Sequence, residues 1–367
     1  MTDERITKLA DVLVNYSTRV KPGDWVHVEA EVPGLPLAVE VVASATKAGA
    51  RVTYNLSSQS ILQAFLRNAN DDQLALDSPL ALKMISEADV AIFIMAPENT
   101  RSLKGIDPAK LQTFSRGRRE WHEVYMRRSA SGELRWTLTN FPTQALAQDA
   151  DMSLKDYEDF VYGATFVDTD DPIAEWEKIR IDQERLVQWL SGKKDVIIRG
   201  PNVDIRMSVD GRKFINSYGD LNMPSGEVYT SPVEDSVNGW VKFTYPAIYQ
   251  GREVDGVYLE FKDGKVVKAT AEKDEEYLIK MLDTDEGARR LGELGIGTNY
   301  GIRQFTRDIL FDEKIGGTFH LAVGSGFEEA GGKNTSAIHW DLICDARTDT
   351  EMLIDGEVFY KNGKILI

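Results

Sequence analysis

The chain has 367 residues, a formal net charge of −16 and one cysteine, Cys344. This length allows two domains with hydrophobic cores of their own. The negative charge disfavours nucleic acid or an anionic membrane as a partner, because phosphate binding needs a basic surface. A single cysteine excludes an intrachain disulfide and is typical of a reducing compartment. Residues 1–5 are not followed by an apolar run, so we predict no signal peptide and a cytoplasmic location.

The first part of the chain alternates between helical and strand-like patterns. The predicted helices cover residues 6–16 and 37–48, and the predicted strands cover residues 25–30, 51–56 and 90–95. Strands that alternate with helices over short connections indicate a parallel sheet. The segment after the first strand, Glu31-Val32-Pro33-Gly34-Leu35, lacks a G-x-G-x-x-G pattern and disfavours nucleotide binding. We therefore predict an open α/β domain with a largely parallel sheet.

The pattern changes in the second part of the chain. A helix is predicted to begin at Pro172, after Asp171, and to end before Gly192. Beyond Asp195, short β-like runs separated by Gly and Asp turns dominate, with one helix predicted over residues 274–294. We therefore predict two domains. The N-terminal α/β domain covers residues 1–192, and a β-rich α+β metal-binding domain covers residues 193–367.

The segment His339-Trp340-Asp341 is the strongest chemical signal in the sequence. On an extended strand, residues i and i+2 point to the same side, ~6.5–7 Å apart along the chain. An imidazole and a carboxylate in this arrangement can hold a metal ion together with a third ligand from elsewhere. The segment therefore predicts part of a metal site.

Three further residues are candidate metal ligands, and each also has an ordinary structural interpretation. His320 lies in a predicted strand before a Gly-rich turn, where a histidine is more often a satisfied core residue. Glu227 follows a Pro/Gly turn, where a glutamate is usually solvated. Glu293 is predicted to end a helix and to pair with the preceding arginines, Arg289 and Arg290.

Taken together, these residues suffice for a centre with two metal ions. Two imidazoles and three carboxylates provide nitrogen and oxygen ligands without a thiolate, which suits Zn²⁺, Co²⁺ or Mn²⁺. In such a centre a bridging water has a lowered pKa and attacks a carbonyl group that one metal polarises. The sequence shows no signal for an organic cofactor.

Several segments resemble the aminopeptidase T/aminopeptidase S (PepS) family of thermophilic metallopeptidases. The similar segments include NMPSGEVYTSP at residues 222–232, LDTDEGARRLGE at residues 282–293, DE at residues 312–313, HLAVG at residues 320–324 and GGKNTS through HWD at residues 331–341. They occur in the order found in the family. The resemblance extends over most of the chain and is strongest after residue 220.

The resemblance implies a cytoplasmic aminopeptidase with two divalent metal ions. The residues at the family's metal-ligand positions are Glu227, Glu293, His320, His339 and Asp341. One of the two glutamates, Glu227 or Glu293, is also expected to act as the catalytic base. Members of the family are homodimers that enclose the active sites in a shared cavity. The implied substrates are therefore short peptides.

The sequence departs from the family at Phe327, where the family often has a tyrosine seven residues after the first histidine. If that hydroxyl stabilises an oxyanion, its loss costs ~10²–10³ in rate. Tyr300 and Tyr245 are candidates to replace it. A catalytically weakened peptide-binding relative is accordingly one alternative function.

A second alternative uses fewer ligands. His320, His339 and Asp341 alone match the 2-His-1-carboxylate pattern of mononuclear Fe(II) oxygenases. The additional Glu227 and Glu293 favour the peptidase, because a site with a single iron does not need them.

Overall fold

The computed structural model describes residues 3–367, and the chain forms two compact units. The first unit runs to Ile173 and also takes in Gly219–Met223, and the second comprises Ala174–Tyr218 and Pro224–Ile367. This division falls at the start of a helix that begins at Pro172, whereas the boundary predicted at residue 192 falls just after that helix. Gly219–Met223 belongs to the first unit because a short strand within this segment pairs with the sheet of that unit.

The helices lie mainly in the first unit. They are α1 (Glu4–Asp11), α2 (Leu35–Lys47), α3 (Gln59–Asn68), α4 (Asp71–Leu74), α5 (Pro79–Glu87), α6 (Pro108–Gly117), α7 (Arg119–Ala130), α8 (Gln144–Asp149), α9 (Leu154–Ala164), α10 (Pro172–Leu190), α11 (Glu275–Leu282) and α12 (Ile309–Asp312). The first continues as a wider π-helical turn over Val12–Ser17. Within residues 3–367, no helix combines the length and apolar character needed to cross a bilayer.

The strands lie mainly in the second unit. They are β1 (Trp25–Glu31), β2 (Arg51–Ser57), β3 (Val90–Met95), β4 (Arg135–Asn140), β5 (Asp195–Gly200), β6 (Val203–Ser208), β7 (Ile215–Ser217), β8 (Asn222–Met223), β9 (Glu227–Thr230), β10 (Asn238–Lys242), β11 (Ala247–Tyr249), β12 (Arg252–Val254), β13 (Tyr258–Lys262), β14 (Lys265–Thr270), β15 (Leu291–Gly297), β16 (Thr318–Gly324), β17 (His339–Asp345), β18 (Glu351–Ile354), β19 (Glu357–Lys361) and β20 (Lys364–Ile365). They form three larger sheets and one hairpin of β11 with β12.

The first unit is built on a parallel sheet with the strand order β2-β1-β3-β4-β8. Val26, Val28 and Ala30 alternate with more exposed residues along β1, so one face of this strand packs into the core. The central strand β3 is apolar and almost wholly buried, as expected for a parallel sheet covered on both faces. The predicted open α/β arrangement is confirmed.

The second unit is built on two antiparallel sheets. One has the order β14-β13-β10-β6-β5-β18-β19-β20, and the other has the order β17-β16-β15-β9-β7. A single hydrophobic cluster contains side chains of both sheets, such as Ile198 and Val203 from one and Leu294, Leu321 and Leu342 from the other. The predicted β-rich character of this region is confirmed.

One predicted element is wrong. The helix expected over residues 274–294 ends at Leu282, and Glu293 lies on β15. The carboxylate of Asp285 accepts hydrogen bonds from the backbone N–H groups of Gly287 and Ala288, at 3.0 and 2.9 Å, and so forms a turn after the helix. The chain then enters a strand that is buried along its whole length.

Candidate metal centre

Four neighbouring strands of the β17-β16-β15-β9-β7 sheet carry the five predicted site residues. Glu227 begins β9, Glu293 lies on β15, His320 lies on β16, and His339 and Asp341 lie on β17. Residues from four distant segments of the sequence therefore meet in one cluster. The structure brings together all five.

Glu227 is held at the start of its strand by a tight turn and by a buried amide. Gly226 has a φ of +111°, and a Cβ at this position would lie 2.7 Å from the Cβ of Asn299, so the turn requires glycine. The Nε2 of Gln183 on α10 donates to the backbone oxygen of Glu227 at 3.0 Å. The Glu227 residue is only 6% exposed, and its interpretation as a solvated glutamate is wrong.

Glu293 is aimed into the cluster by a bulge. Leu291 pairs with Val323 whereas Glu293 pairs with Ala322, so the register shifts at Gly292. Bulges commonly re-aim a side chain in this way. The two carboxylate oxygens of Glu293 lie 3.4 Å from the Nε2 of His320 and 3.1 Å from the Nε2 of His339.

The predicted pairing of Glu293 with the preceding arginines is wrong. Arg289 instead pairs with Asp283 at 2.7 Å, and Arg290 donates to the backbone oxygen of Glu234 at 2.8 Å. Glu293 itself is 4% exposed and contacts two imidazoles. Its partners are thus histidines of neighbouring strands.

His320 lies over a glycine of the adjacent strand. It is paired with Gly295, and a Cβ at that glycine would come within 2.0 Å of the His320 Nε2. Only glycine leaves room for the ring. The Nδ1 of His320 donates to the backbone oxygen of Glu313 at 3.0 Å, so the Nε2 faces the carboxylates, 3.5 Å from Glu227 and 3.4 Å from Glu293.

His339 and Asp341 share one face of β17, as the i, i+2 spacing predicted. The His339 Nε2 lies 3.4 Å from Asp341 Oδ1, and its Nδ1 donates to the backbone oxygen of Ser325 at 2.8 Å. Trp340, between them, is buried in the hydrophobic cluster and stacks on Tyr249 with ring centroids 5.3 Å apart. The alternation of the strand therefore separates ligand chemistry from core packing.

The ligand atoms form overlapping groups in which all members lie within 4.8 Å of one another. One group is Glu227, Glu293 and His320, and a second is Glu293, His339 and Asp341. Glu293 thus belongs to both. A third group joins His320 and Asp341 to Glu313, which is not among the predicted ligands. The signal for Glu313 in the sequence is the DE segment at residues 312–313, which resembles the family.

Lys314 is a second unpredicted member of this cluster. It is 0% exposed, forms an ion pair with Glu313, and lies with its Nζ 3.9 Å from Glu227 Oε1. Burial lowers the pKa of this ammonium group, but Glu313 and Glu227 outweigh burial and raise the pKa above its ordinary value. The site therefore includes a fixed positive charge beside its carboxylates.

The pKa shifts show that the carboxylates require positive charge between them. Burial raises the pKa of Glu227 to about 8 despite the nearby Lys314. Burial opposes protonation of both imidazoles, yet the carboxylates raise the pKa of His320 to about 10 and that of His339 to about 12. Burial also acts on Asp341, but His339 lowers its pKa to about 2. Protons on the imidazoles or bound cations can supply this charge.

The residues fit divalent metal ions on two structural grounds. First, Glu227 Oε2 and Asp341 Oδ1 are buried carboxylate oxygens that accept no well-formed hydrogen bond, although a histidine Nε2 lies 3.5 and 3.4 Å away, respectively. Buried carboxylate oxygens of this kind need a cationic partner. Second, both histidines have their Nδ1 bound to a backbone oxygen, which orients Nε2 as a ligand atom. The donor set of nitrogen and oxygen suits Zn²⁺, Co²⁺ or Mn²⁺.

Phe327 lies beside the cluster, with its ring centroid 5.0 Å from that of His339. The two tyrosines considered as replacements for its missing hydroxyl are engaged elsewhere. The Tyr300 hydroxyl donates to the backbone oxygen of Gly363, and the Tyr245 hydroxyl accepts from Arg347. A different tyrosine, Tyr229, packs on Phe327 with centroids 5.0 Å apart. Burial and the nearby acids Glu329, Glu227 and Glu293 raise the pKa of Tyr229, so its hydroxyl keeps the proton.

Solved structures share this fold. The wild-type AmpT from Thermus thermophilus matches with a TM-score of 0.87 and 22% identity, over 99% of both chains. The 2,5-dihydroxypyridine dioxygenase from Pseudomonas putida KT2440 matches with a TM-score of 0.59 and 14% identity, over 98% of this chain and 96% of its own. At such low identities, these similarities show the fold alone.

Sequence comparisons identify the family. Aminopeptidase 2 of Geobacillus stearothermophilus is 28% identical over 402 residues, which cover 99% of this chain and 95% of that protein. Aminopeptidase T of Thermus thermophilus is 25% identical over 98% of this chain and 95% of its own length. The sequence profile described as thermophilic metalloprotease (M29) matches residues 2–365. The chain therefore belongs to the thermophilic metalloprotease (M29) family, which confirms the family and the metallopeptidase class predicted from the sequence.

Proposed function

We propose that this protein is an aminopeptidase that uses two divalent metal ions and removes N-terminal residues from short peptides. The observation that carries the proposal is the position of Glu293, whose two oxygens face two different imidazoles. A carboxylate in this position suits a ligand shared by two ions. Family membership and relatives named aminopeptidases support the same reaction.

The proposed ligands are Glu227 and His320 on one side of the shared Glu293, and His339 and Asp341 on the other. Divalent ions held by these residues would polarise the substrate carbonyl group and lower the pKa of a bound water. Glu313 contributes a further carboxylate near His320 and Asp341. The nitrogen and oxygen donors favour zinc, cobalt or manganese.

Glu227 is the proposed catalytic base. Its Oε2 is buried and accepts no hydrogen bond from the protein, so no protein donor competes with the attacking water for this oxygen. Without metal ions, burial raises the pKa of this carboxyl to about 8, so the group holds a proton more readily than an ordinary glutamate. The carboxylate can then deliver that proton to the leaving amine.

The mononuclear oxygenase is disfavoured. A facial triad needs two histidines and one carboxylate, whereas the cluster also contains Glu227, Glu293 and Glu313. The similarity to a dioxygenase, at 14% identity, shows a shared fold alone and gives no support to this alternative. Lys314 supplies only one positive charge to these buried carboxylates, and the remaining negative charge favours a second ion.

Metal content and peptidase activity test the proposal together. We expect two divalent ions per chain by elemental analysis, and release of amino acid from leucyl or arginyl anilides with Co²⁺, Mn²⁺ or Zn²⁺. One iron per chain with oxygen uptake and no anilide hydrolysis would contradict it. A homodimer and a cytoplasmic location stay predictions from the family resemblance, and sedimentation of the purified protein tests the first.

A further inference from the structure

Tyr229 forms part of a wall beside the candidate metal centre. It lies two residues after Glu227 on β9, so both side chains project from the same face of that strand. Its ring packs on Phe327 at 5.0 Å with an interplanar angle of 56°, and Phe327 in turn packs on His339 at 5.0 Å. The two aromatic rings therefore join the strand of Glu227 to the ligand His339.

The hydroxyl of Tyr229 is only weakly engaged. It donates to Glu329 Oε1 at 3.3 Å, which is long for a hydrogen bond from a hydroxyl to a carboxylate, normally about 2.5–2.7 Å. Glu329 is exposed and belongs to the short 3-10 turn Glu328–Ala330. An exposed acceptor on a long bond can be exchanged for a better one at little cost.

We propose that the Tyr229 hydroxyl donates a hydrogen bond to the scissile carbonyl oxygen of the peptide as negative charge develops on it. This inference rests on the proposed aminopeptidase function. Such a donor acts by stabilising the transition state more than the bound substrate. The hydroxyl would leave Glu329 when the substrate binds, and no proton is transferred.

The other donors around the cluster are less suitable. Lys314 is fully buried and paired with Glu313. The Gln183 amide is already bound to the backbone oxygens of Ser217 and Glu227 and to the side chain of Asn216. Phe327 presents only a hydrocarbon ring. Tyr229 combines a position on the face of Glu227 with a donor that has no strong partner.

The test is a reciprocal exchange of one hydroxyl between the two touching rings. We would prepare Tyr229→Phe, Phe327→Tyr and the double variant, with Tyr245→Phe as a matched control because Tyr245 also stacks on a phenylalanine, Phe305. Each protein is loaded with metal and checked by elemental analysis and thermal unfolding. The measurements are kcat and KM on leucyl anilide, and the inhibition constants of a phosphinic peptide and of free leucine. The phosphinic group imitates the tetrahedral oxyanion, whereas leucine imitates the product.

We expect Tyr229→Phe to lower kcat by about 10²-fold and to raise the inhibition constant of the phosphinic peptide by a similar factor. Its KM, leucine affinity and metal content should stay within a factor of about three, and Tyr245→Phe should match the wild type. The double variant should have a kcat at least about tenfold higher than that of Tyr229→Phe, because the ring at position 327 also contacts His339.

Two results would overturn the inference while leaving the proposed function in place. One is a Tyr229→Phe variant that keeps the wild-type kcat and the wild-type affinity for the phosphinic peptide. The other is an equal loss of affinity for leucine and the phosphinic peptide, which indicates a structural role. If the metal-loaded wild type itself releases no leucine, the proposed function fails and the inference fails with it.

Discussion

The parallel sheet of the first unit and the β17-β16-β15-β9-β7 sheet of the second unit both contain largely buried strands, but the side chains that they bury differ in kind. Strand β3 buries Val90, Ala91 and Ile92, whose apolar side chains need no partners. Strand β16 is buried along its whole length and yet carries His320. The first strand gains stability from the hydrophobic effect alone, whereas the second depends on opposite charges being placed close together.

This difference predicts different responses to mutation. An apolar strand loses stability in proportion to the volume removed, and its effects stay local. A strand that carries a compensated charge fails when any one partner is removed, because the remaining charges are buried and unpaired. The second sheet should therefore be the more sensitive of the two, in activity as well as in stability.

The largest effect is expected for Glu293→Gln. The neutral amide cannot act as a shared anionic ligand, and we expect kcat to fall by about 10³-fold or more, with fewer ions per chain. Anilide hydrolysis and elemental analysis measure both quantities. The control is Glu286→Gln, which changes an exposed glutamate of the same segment. Full activity in Glu293→Gln would refute the two-metal assignment.

Lys314→Met should come next. Removing the buried ammonium leaves Glu313 and Glu227 without this cation, and we expect the metal-free protein to lose about 3–5 kcal/mol of unfolding free energy. Added metal should raise the unfolding temperature of the variant more than that of the wild type, because metal replaces the missing charge. Urea unfolding with and without chelator measures this, with the exposed Lys280→Met as control. If Lys314→Met loses no more unfolding free energy than Lys280→Met, the buried ion pair is dispensable for stability.

Gly295→Ala should disturb the site with a single methyl group. The new Cβ would overlap the His320 ring, and displacement of that ligand should lower kcat/KM by ~10²-fold. Gly105→Ala is a suitable control, because a Cβ there has nothing within 4 Å. If Gly295→Ala keeps wild-type kcat/KM and metal affinity, the close approach of ring and backbone is not needed for function.

The smallest effect is expected in the apolar sheet. Ile92→Val on β3 should cost about 0.5–1.5 kcal/mol of unfolding free energy and leave metal content and kcat unchanged. Urea unfolding, elemental analysis and anilide hydrolysis measure the three quantities on one preparation. A change in kcat would mean that the two sheets are coupled more closely than their chemistry suggests.

The sequence predicted those features that depend on near neighbours. The burial of β1 and β3 follows from the alternation and continuity of their apolar residues. The shared face of His339 and Asp341 follows from strand geometry. The ligand set of the metal centre was selected through its resemblance to a family, and the structure brings the same residues together.

The features that sequence reasoning missed depend on distant partners. The pattern predicts a helix at Glu293, because only the pairing with β16 reveals a strand in this glycine-rich segment. The backbone of Glu227 is held by Gln183, which lies 44 residues away in the chain. Glu313 and Lys314 are adjacent in sequence, but their role becomes visible only when His320 and Glu227 lie beside them.

The hydrogen bond from His339 Nδ1 to the backbone oxygen of Ser325 has a consequence for engineering this protein. The same turn carries Phe327, whose backbone N–H donates to the Ser231 hydroxyl at 3.0 Å. One short segment thus orients a metal ligand and also forms the aromatic wall next to it. Substitutions that reshape this turn to accept other substrates will shift metal affinity as well, so selectivity and metal retention have to be optimised together.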